Sequence, residues 1–284
     1  MTNILDGKKV AKELREKLAE EISVAGESLS LAVLYDPKDD GSRLYVGMKQ
    51  RAAAKVGIET KDFEVSAGQS TEDAIAMVEK LNADDSVNGI LVQAPLPEGI
   101  DDAAVFAAVA PEKDVDGLGV TNQGRLFANE KGNYPIAATP KGVMTLLDHY
   151  NLDVAGKTAV VVGRSQLFGR PMAALLLNAN ATVTIAHRYT PKEVLDEMLL
   201  KADIVVCGVG KPNFIRGDQI KDGAIVIDVG MNLVDGKACG DVNDEEARAK
   251  ASWLTPVPGG VGPMTIAKLL ESTRQAALEQ KTLK

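Results

Sequence analysis

The stretch from Thr158 to Arg188, TAVVVGRSQLFGRPMAALLLNANATVTIAHR, constrains the fold more than any other part of the chain. A continuous apolar run, Ala159 to Val162, turns at Gly163; an Ala/Leu-rich helical segment follows from about Pro171, then a second β-branched run from Ala181 to Ala186. Parallel strands buried on both faces read as such continuous runs, and a glycine at the first strand-to-helix turn lets a phosphate approach the N–H groups at the helix start. A strand, helix, strand unit able to hold a dinucleotide is expected. The spacing from Gly163 to Gly169 departs from G-x-G-x-x-G, so on spacing alone a ligand-free βαβ unit stays open. After the second strand, where an acid usually accepts from the cofactor ribose, this chain has His187 and Arg188, with Arg164 inside the first turn. Solvated loop arginines are the plain reading. Positive charge there also suits a phosphorylated ribose, which favours NADP, with NAD as the alternative.

The same alternation extends in both directions. Toward the amino end, Asp6 is placed to cap a helix through about Glu21, a strand follows at Ser30 to Tyr35, and Ser42 is expected to cap a helix that stops at Gly57. Tyr45 and Lys49 are four apart on that helix and share a face. A strand near Lys61 to Val65 and a helix from Ser70 or Thr71 lead to the short strand Gly89 to Val92, with Gln93 just beyond its carboxyl end, where α/β sheets bind ligands. Helix Asp102 to Val109 then meets PEKDVDG, residues 111–117, a turn that aims either Asp114 or Asp116 inward; residues 121–138 read as irregular. Toward the carboxyl end, strands at Ala202 to Cys207 and Ala224 to Val229 end in Gly208, Gly210 and Gly230, and an apolar helix from about Met264 closes the chain. The fold class is therefore α/β: two lobes with a cleft between them, one carrying a Rossmann-like parallel sheet, joined near residues 139–148.

Composition narrows the function. A net charge of −8 with no basic stripe argues against nucleic acid as a partner. Cys207, Cys239, His149 and His187 lack ligand spacing, so neither a metal site nor a disulfide framework is expected. MTNILDGKKV has no apolar signal core and no run approaches the roughly 20 apolar residues that span a bilayer, which makes a cytoplasmic enzyme without a membrane partner the expectation.

Seven stretches taken together resemble one family, the bifunctional methylenetetrahydrofolate dehydrogenase/methenyltetrahydrofolate cyclohydrolases: residues 42–58, 89–97, 111–117, 163–171, 202–212, 223–232 and 255–265, the last reading TPVPGGVGPMT. They run in family order over nearly the whole chain. The resemblance implies a folate-binding catalytic domain at 1–140 plus 264–284, a Rossmann-like NADP-binding domain at 141–263, and a homodimer. It implies NADP-dependent oxidation of 5,10-methylenetetrahydrofolate followed by hydrolysis to 10-formyltetrahydrofolate, with a tetrahydrofolate derivative as substrate and no metal. It further implies that Tyr45, Lys49, Gln93 and Asp116 form the catalytic and folate-binding set, with Pro258, Gly259 and Gly260 also at the substrate. Gly163, Arg164, Ser165, Arg188, Gly208, Gly210 and Met231 would meet the cofactor. Departures from the usual pattern fall at Ala94, at Leu118 to Val120, at Ala137 and Ala138, and at His187-Arg188-Tyr189-Thr190, where relatives read HSRT-like. Two other classes stay in view: another two-lobed dehydrogenase of the shikimate or amino-acid type, and a dinucleotide-binding protein without catalysis.

Overall fold

The computed structural model describes residues 2–282. In chain order its elements are β1 (Asn3–Ile4), α1 (Gly7–Ala25), β2 (Leu29–Tyr35), α2 (Asp40–Val56), β3 (Ile58–Glu64), α3 (Thr71–Ala83), β4 (Gly89–Gln93), α4 (Asp102–Ala108), α5 (Val120–Phe127) and α6 (Ala138–His149). They continue with β5 (Thr158–Val162), α7 (Gly169–Asn178), β6 (Thr182–Ala186), α8 (Lys192–Lys201), β7 (Ile204–Cys207), a 3-10 turn at Gly217–Gln219, β8 (Ile225–Asp228), β9 (Asn232–Val234), β10 (Lys237–Cys239), α9 (Asp244–Arg248), β11 (Trp253–Leu254) and α10 (Val261–Thr282). Two compact units result, one of Glu13–Ala138 with Ile266–Lys284, the other of Met1–Lys12 with Thr139–Thr265.

The first unit is built on a parallel three-stranded sheet in the order β3-β2-β4. Alternate residues of a strand face opposite ways. In β2, Leu31 and Val33 join one core with Val46, Ala53 and Val56 of α2, whereas Ala32 and Leu34 join another with Ala74 and Val78 of α3. Burial on both faces is why residues 31–34 of β2 read as an unbroken apolar run. Leu269 and Leu270 of α10 complete the α2-side core.

Several helix ends follow from local chemistry. Asp6 Oδ1 accepts from the Lys9 N–H at 2.9 Å. Ser70 and Asp73 form a reciprocal capping box at the start of α3. Gly57 ends α2 in the left-handed region. Two expectations are corrected. The cap of α2 is Asp39, whose carboxylate accepts from the Ser42 N–H at 2.6 Å; Ser42 lies inside the first turn. Within the segment read as irregular, Val120–Phe127 is helical; its start has no side-chain cap, and Asp114 instead pins the approach to it, accepting from the Leu118 and Gly119 N–H groups at 3.2 and 2.9 Å and from the Asn122 amide at 3.0 Å.

The second unit holds a parallel six-stranded sheet in the order β1-β11-β8-β7-β5-β6. Val160, Val162, Val205, Cys207 and Val226 fill the core on one face, and Ala159, Val161, Ile204, Val206 and Ile227 are buried as well. From β5 the chain goes to β6 on one side and later returns to β7 on the other, so strand order reverses between β5 and β7, the point where open α/β sheets bind ligands. β1 pairs in register with β11, Asn3 opposite Trp253, which assigns the first residues to this unit and not to the lobe expected from sequence. β9 and β10 form a separate antiparallel hairpin.

Candidate functional site

In the first unit, the i, i+4 spacing on α2 directs Tyr45 and Lys49 to one side, and the end of β4 delivers Gln93. Lys49 Nζ donates to Gln93 Oε1 at 2.8 Å, while the Gln93 amide donates to the Ala94 carbonyl at 3.1 Å. The glutamine therefore spends its donor on its own chain and turns its acceptor to the lysine. Burial holds the Lys49 amine below its usual range, with the Asp116 charge pulling the other way. Burial likewise pushes the Asp116 carboxyl up, opposed by Lys49 and by a hydrogen bond from the Ala138 backbone. Lysine, glutamine and aspartate thus share one poorly hydrated site, and Tyr45 leaves 42% of its surface exposed beside it.

The PEKDVDG turn divides its labour. Lys113 is buried and donates to the carbonyls of Leu81, Asn82 and Asp84 at 3.0, 2.9 and 2.8 Å, closing the end of α3. Asp114 is committed to Leu118, Gly119 and Asn122. Asp114 is buried within the turn, and Asp116 is the carboxylate whose charge acts on the Lys49 amine.

In the second unit, the turns after β5 and β7 abut. A Cβ on Gly163, whose φ is +131°, would lie 2.7 Å from the Gly208 carbonyl oxygen, and one on Gly169 would lie 2.1 Å from that of Gly163. The wide glycine spacing thus serves close approach of backbone to backbone. Ser165 Oγ accepts from the Phe168 N–H at 3.2 Å within this turn. Arg164 and Arg188 are both exposed near Tyr189, and Met231 is 46% exposed just before β9. Pro258, Gly259 and Gly260 form the turn before α10, where the Gly259 carbonyl accepts from the Lys8 N–H at 2.8 Å; these three belong to the second unit, whereas Tyr45, Lys49, Gln93 and Asp116 belong to the first.

Sequence reasoning missed Asp241. Its buried carboxylate accepts from three successive N–H groups, Val209 at 2.5 Å, Gly210 at 2.9 Å and Lys211 at 2.8 Å, and from the Asn232 amide at 2.9 Å. It fixes the loop after β7 from some 30 residues away, and a lone Gly-Asp pair carries no local mark of that. Next to it, Asp228 accepts from Gly230, Asp241 and Val242 N–H groups. Burial nonetheless pushes the Asp228 carboxyl up to about 6, against those three bonds and with help from the Asp241 charge.

A pH dependence follows. The folded value exceeds that of an unfolded aspartate, about 3.9, so the folded state binds this proton more tightly. The stability it supplies is complete below about pH 4 and is lost as pH rises through about 6. Relative to Asp228→Asn, the native chain is expected to lose on the order of 2–3 kcal/mol between about pH 4.5 and 8 in urea unfolding. A difference that stays flat across that window would remove Asp228 as the titrating group.

Cys207 and Cys239 are free thiols. Among the described residues no group of three or more His, Cys, Asp or Glu side chains is placed to hold a metal, and no helix is long and apolar enough to cross a membrane.

Comparison with known proteins gives consistent results. Residues 5–116 match the family model described as tetrahydrofolate dehydrogenase/cyclohydrolase, catalytic domain, and residues 137–281 match that family's NAD(P)-binding domain. A relative from Leuconostoc citreum named bifunctional protein FolD is 61% identical over 273 residues, 96% of this chain and 97% of the relative. The crystal structure of the bifunctional FolD enzyme from Campylobacter jejuni superposes with a TM-score of 0.94 at 40% identity, covering 99% of this chain and 100% of the other. The FolD structure from Trypanosoma brucei, complexed with NADP cofactor and an inhibitor, gives a TM-score of 0.94 at 36% identity over 99% and 98% of the two chains.

Proposed function

The chain belongs to the tetrahydrofolate dehydrogenase/cyclohydrolase family, and from that premise we propose how its residues divide two successive reactions. The chain is a bifunctional enzyme of one-carbon folate chemistry. It oxidises 5,10-methylenetetrahydrofolate to the methenyl form and hydrolyses that product to 10-formyltetrahydrofolate. When bound, the nicotinamide cofactor supplies a hydride acceptor.

The observation that carries the residue assignment is the 2.8 Å hydrogen bond from Lys49 to Gln93, with Asp116 close enough to act on the same amine. Asp116 holds the pterin, since a carboxylate can accept in parallel from an exocyclic amine and a ring N–H. Tyr45 offers its exposed ring for stacking. Lys49 is the proton acceptor for the water that attacks the methenyl bridge. Burial already lowers its affinity for a proton, and a cationic substrate would lower it further. Gln93 holds the amine in place. Pro258, Gly259 and Gly260 are assigned to the substrate on family grounds.

For the cofactor, the N–H groups at the start of α7, after the turn at Gly163, would meet the phosphates, with Ser165, Gly208, Gly210 and Met231 along its length. Arg188 and Arg164, with no acid at the end of β6, favour the 2′-phosphorylated form, NADP over NAD. Family membership further supports a cytoplasmic homodimer that supplies formyl groups for purine biosynthesis.

The test is an assay with methylenetetrahydrofolate and either NADP or NAD, following reduced cofactor and methenyl absorbance together. Reduced cofactor without lasting methenyl build-up is expected, with NADP preferred. Methenyl accumulation would contradict the assignment of an intact hydrolytic set, and preference for NAD would overturn the reading of Arg188.

A further inference from the structure

The turn that follows β6 is unusual in what surrounds its aromatic residue. The Arg164 guanidinium carbon lies 5.6 Å from the Tyr189 ring centroid and that of Arg188 lies 4.8 Å away, and Arg188 Nη2 also donates to the Tyr189 hydroxyl at 2.9 Å. Two cations from different turns of the dinucleotide unit thus converge on one ring. The ring itself is held: His187 N–H donates to Thr190 Oγ1 at 2.9 Å, Thr190 N–H donates to the His187 carbonyl at 2.8 Å, and the His187 ring stands edge-on to Tyr189 at 6.2 Å.

Like charges gathered at one ring repel, and an aromatic face compensates only part of that. Neither guanidinium forms an ion pair among the described residues; the arginines that do are Arg43, Arg125, Arg216, Arg248 and Arg274. A surface that collects two unpaired guanidiniums is complementary to a dianion. Its place at the carboxyl end of β6 is where a dinucleotide fold meets the adenosine ribose. The residues after β6, His187 to Thr190, include no carboxylate to accept from a ribose diol.

Resting on the NADP reading above, we propose that Tyr189 is a positioning residue for cofactor choice: its ring and hydroxyl gather Arg164 and Arg188 into a cradle for the phosphomonoester on the cofactor ribose. The tyrosine acts through the arginines. Its ring supplies a flat platform for both, and its hydroxyl fixes the rotamer of one. Without it, each arginine keeps its charge but loses its bearing toward the other.

The experiment titrates the intact enzyme with 2′,5′-ADP, which carries the ribose phosphate, and with 5′-ADP, which carries only the pyrophosphate. Tyr189→Ala is expected to weaken 2′,5′-ADP at least tenfold and 5′-ADP less than twofold. In turnover, KM for NADP should rise in proportion while kcat at saturation moves less than twofold. Tyr189→Phe, which keeps the platform, should recover most of the loss. Equal weakening of both nucleotides, or no weakening in Tyr189→Ala where Arg188→Ala loses 2′,5′-ADP, would overturn the role of Tyr189 while leaving the NADP reading intact. A native enzyme with no preference for 2′,5′-ADP would overturn both.

Discussion

Replacing Lys49 with methionine is expected to cut methenyltetrahydrofolate hydrolysis by a factor of about 10² to 10⁴, the span of a lost general base. Methionine keeps the length and flexibility of the side chain but has no proton acceptor, and α2 stays supported by Val46, Ala53 and Val56. Unfolding temperature should therefore move little. The change removes an amine whose charged form burial already disfavours, so the folded state gives up little favourable interaction. The pH profile provides a second reading. Because the Lys49 value is lowered, the neutral amine becomes available as pH rises, and hydrolysis in the native enzyme should climb along that limb and level off. In Lys49→Met the limb should vanish along with the rate. Full hydrolysis in a folded Lys49→Met enzyme would remove the lysine from the mechanism.

The second large effect is expected at Asp241. Truncation to alanine leaves the N–H groups of Val209, Gly210 and Lys211 and the Asn232 amide without their acceptor. Each unpaired buried group costs about 1–3 kcal/mol. Relaxation and entering water reduce the sum, and loss of the neighbouring charge relieves Asp228. A net loss on the order of 4 kcal/mol remains, about 10 °C in unfolding temperature. Cofactor affinity should fall as well, since the released loop lies at the switch point of the sheet. Asp241→Asn, which keeps one acceptor oxygen, should fall between the two. Calorimetry with cofactor titration checks both effects, and an Asp241→Ala enzyme of native stability would show that the loop holds its shape without the carboxylate.

These two residues also mark how far the sequence could be read. Lys49 was legible: helical spacing set it beside Tyr45, and Gln93 fell at a strand end, where chemistry gathers in α/β folds. Strands were legible because burial on both faces leaves an unbroken apolar run, as at residues 31–34 of β2 and 159–162 of β5. Helix ends at Asp6, Ser70 and Gly57 were legible because their cues are local. Failures came where a distant side chain does the work. α5 contains Thr121, Asn122 and Gly124, poor helix formers, and its approach and its Asn122 side chain are held by Asp114 from outside the helix. Ser42 was read as the cap of α2 where Asp39 serves, since which side chain reaches back within an acid-rich turn is set by geometry and not by residue type. Asp241 sits in a two-residue pattern common in any turn, and its meaning lies in a loop thirty residues earlier.

The two-sided burial of β2 bears on how the proposed hydrolytic pair, Lys49 and Gln93, would respond to engineering. Lys49 rides on a helix whose anchors fall in the layer of Leu31 and Val33, whereas the loop just past Gln93 is anchored through Leu96 in the layer of Ala32 and Leu34. Gln93 itself, two residues beyond Leu91 and opposite Tyr35, faces the α2-side layer, so the 2.8 Å contact works as a caliper with both jaws in that one layer, one on the helix and one on the strand. A redesign that thickens or thins that layer would change the gap before it changed the fold, and the hydrolysis rate would be its most sensitive gauge. Changes confined to the other layer would leave the reading alone.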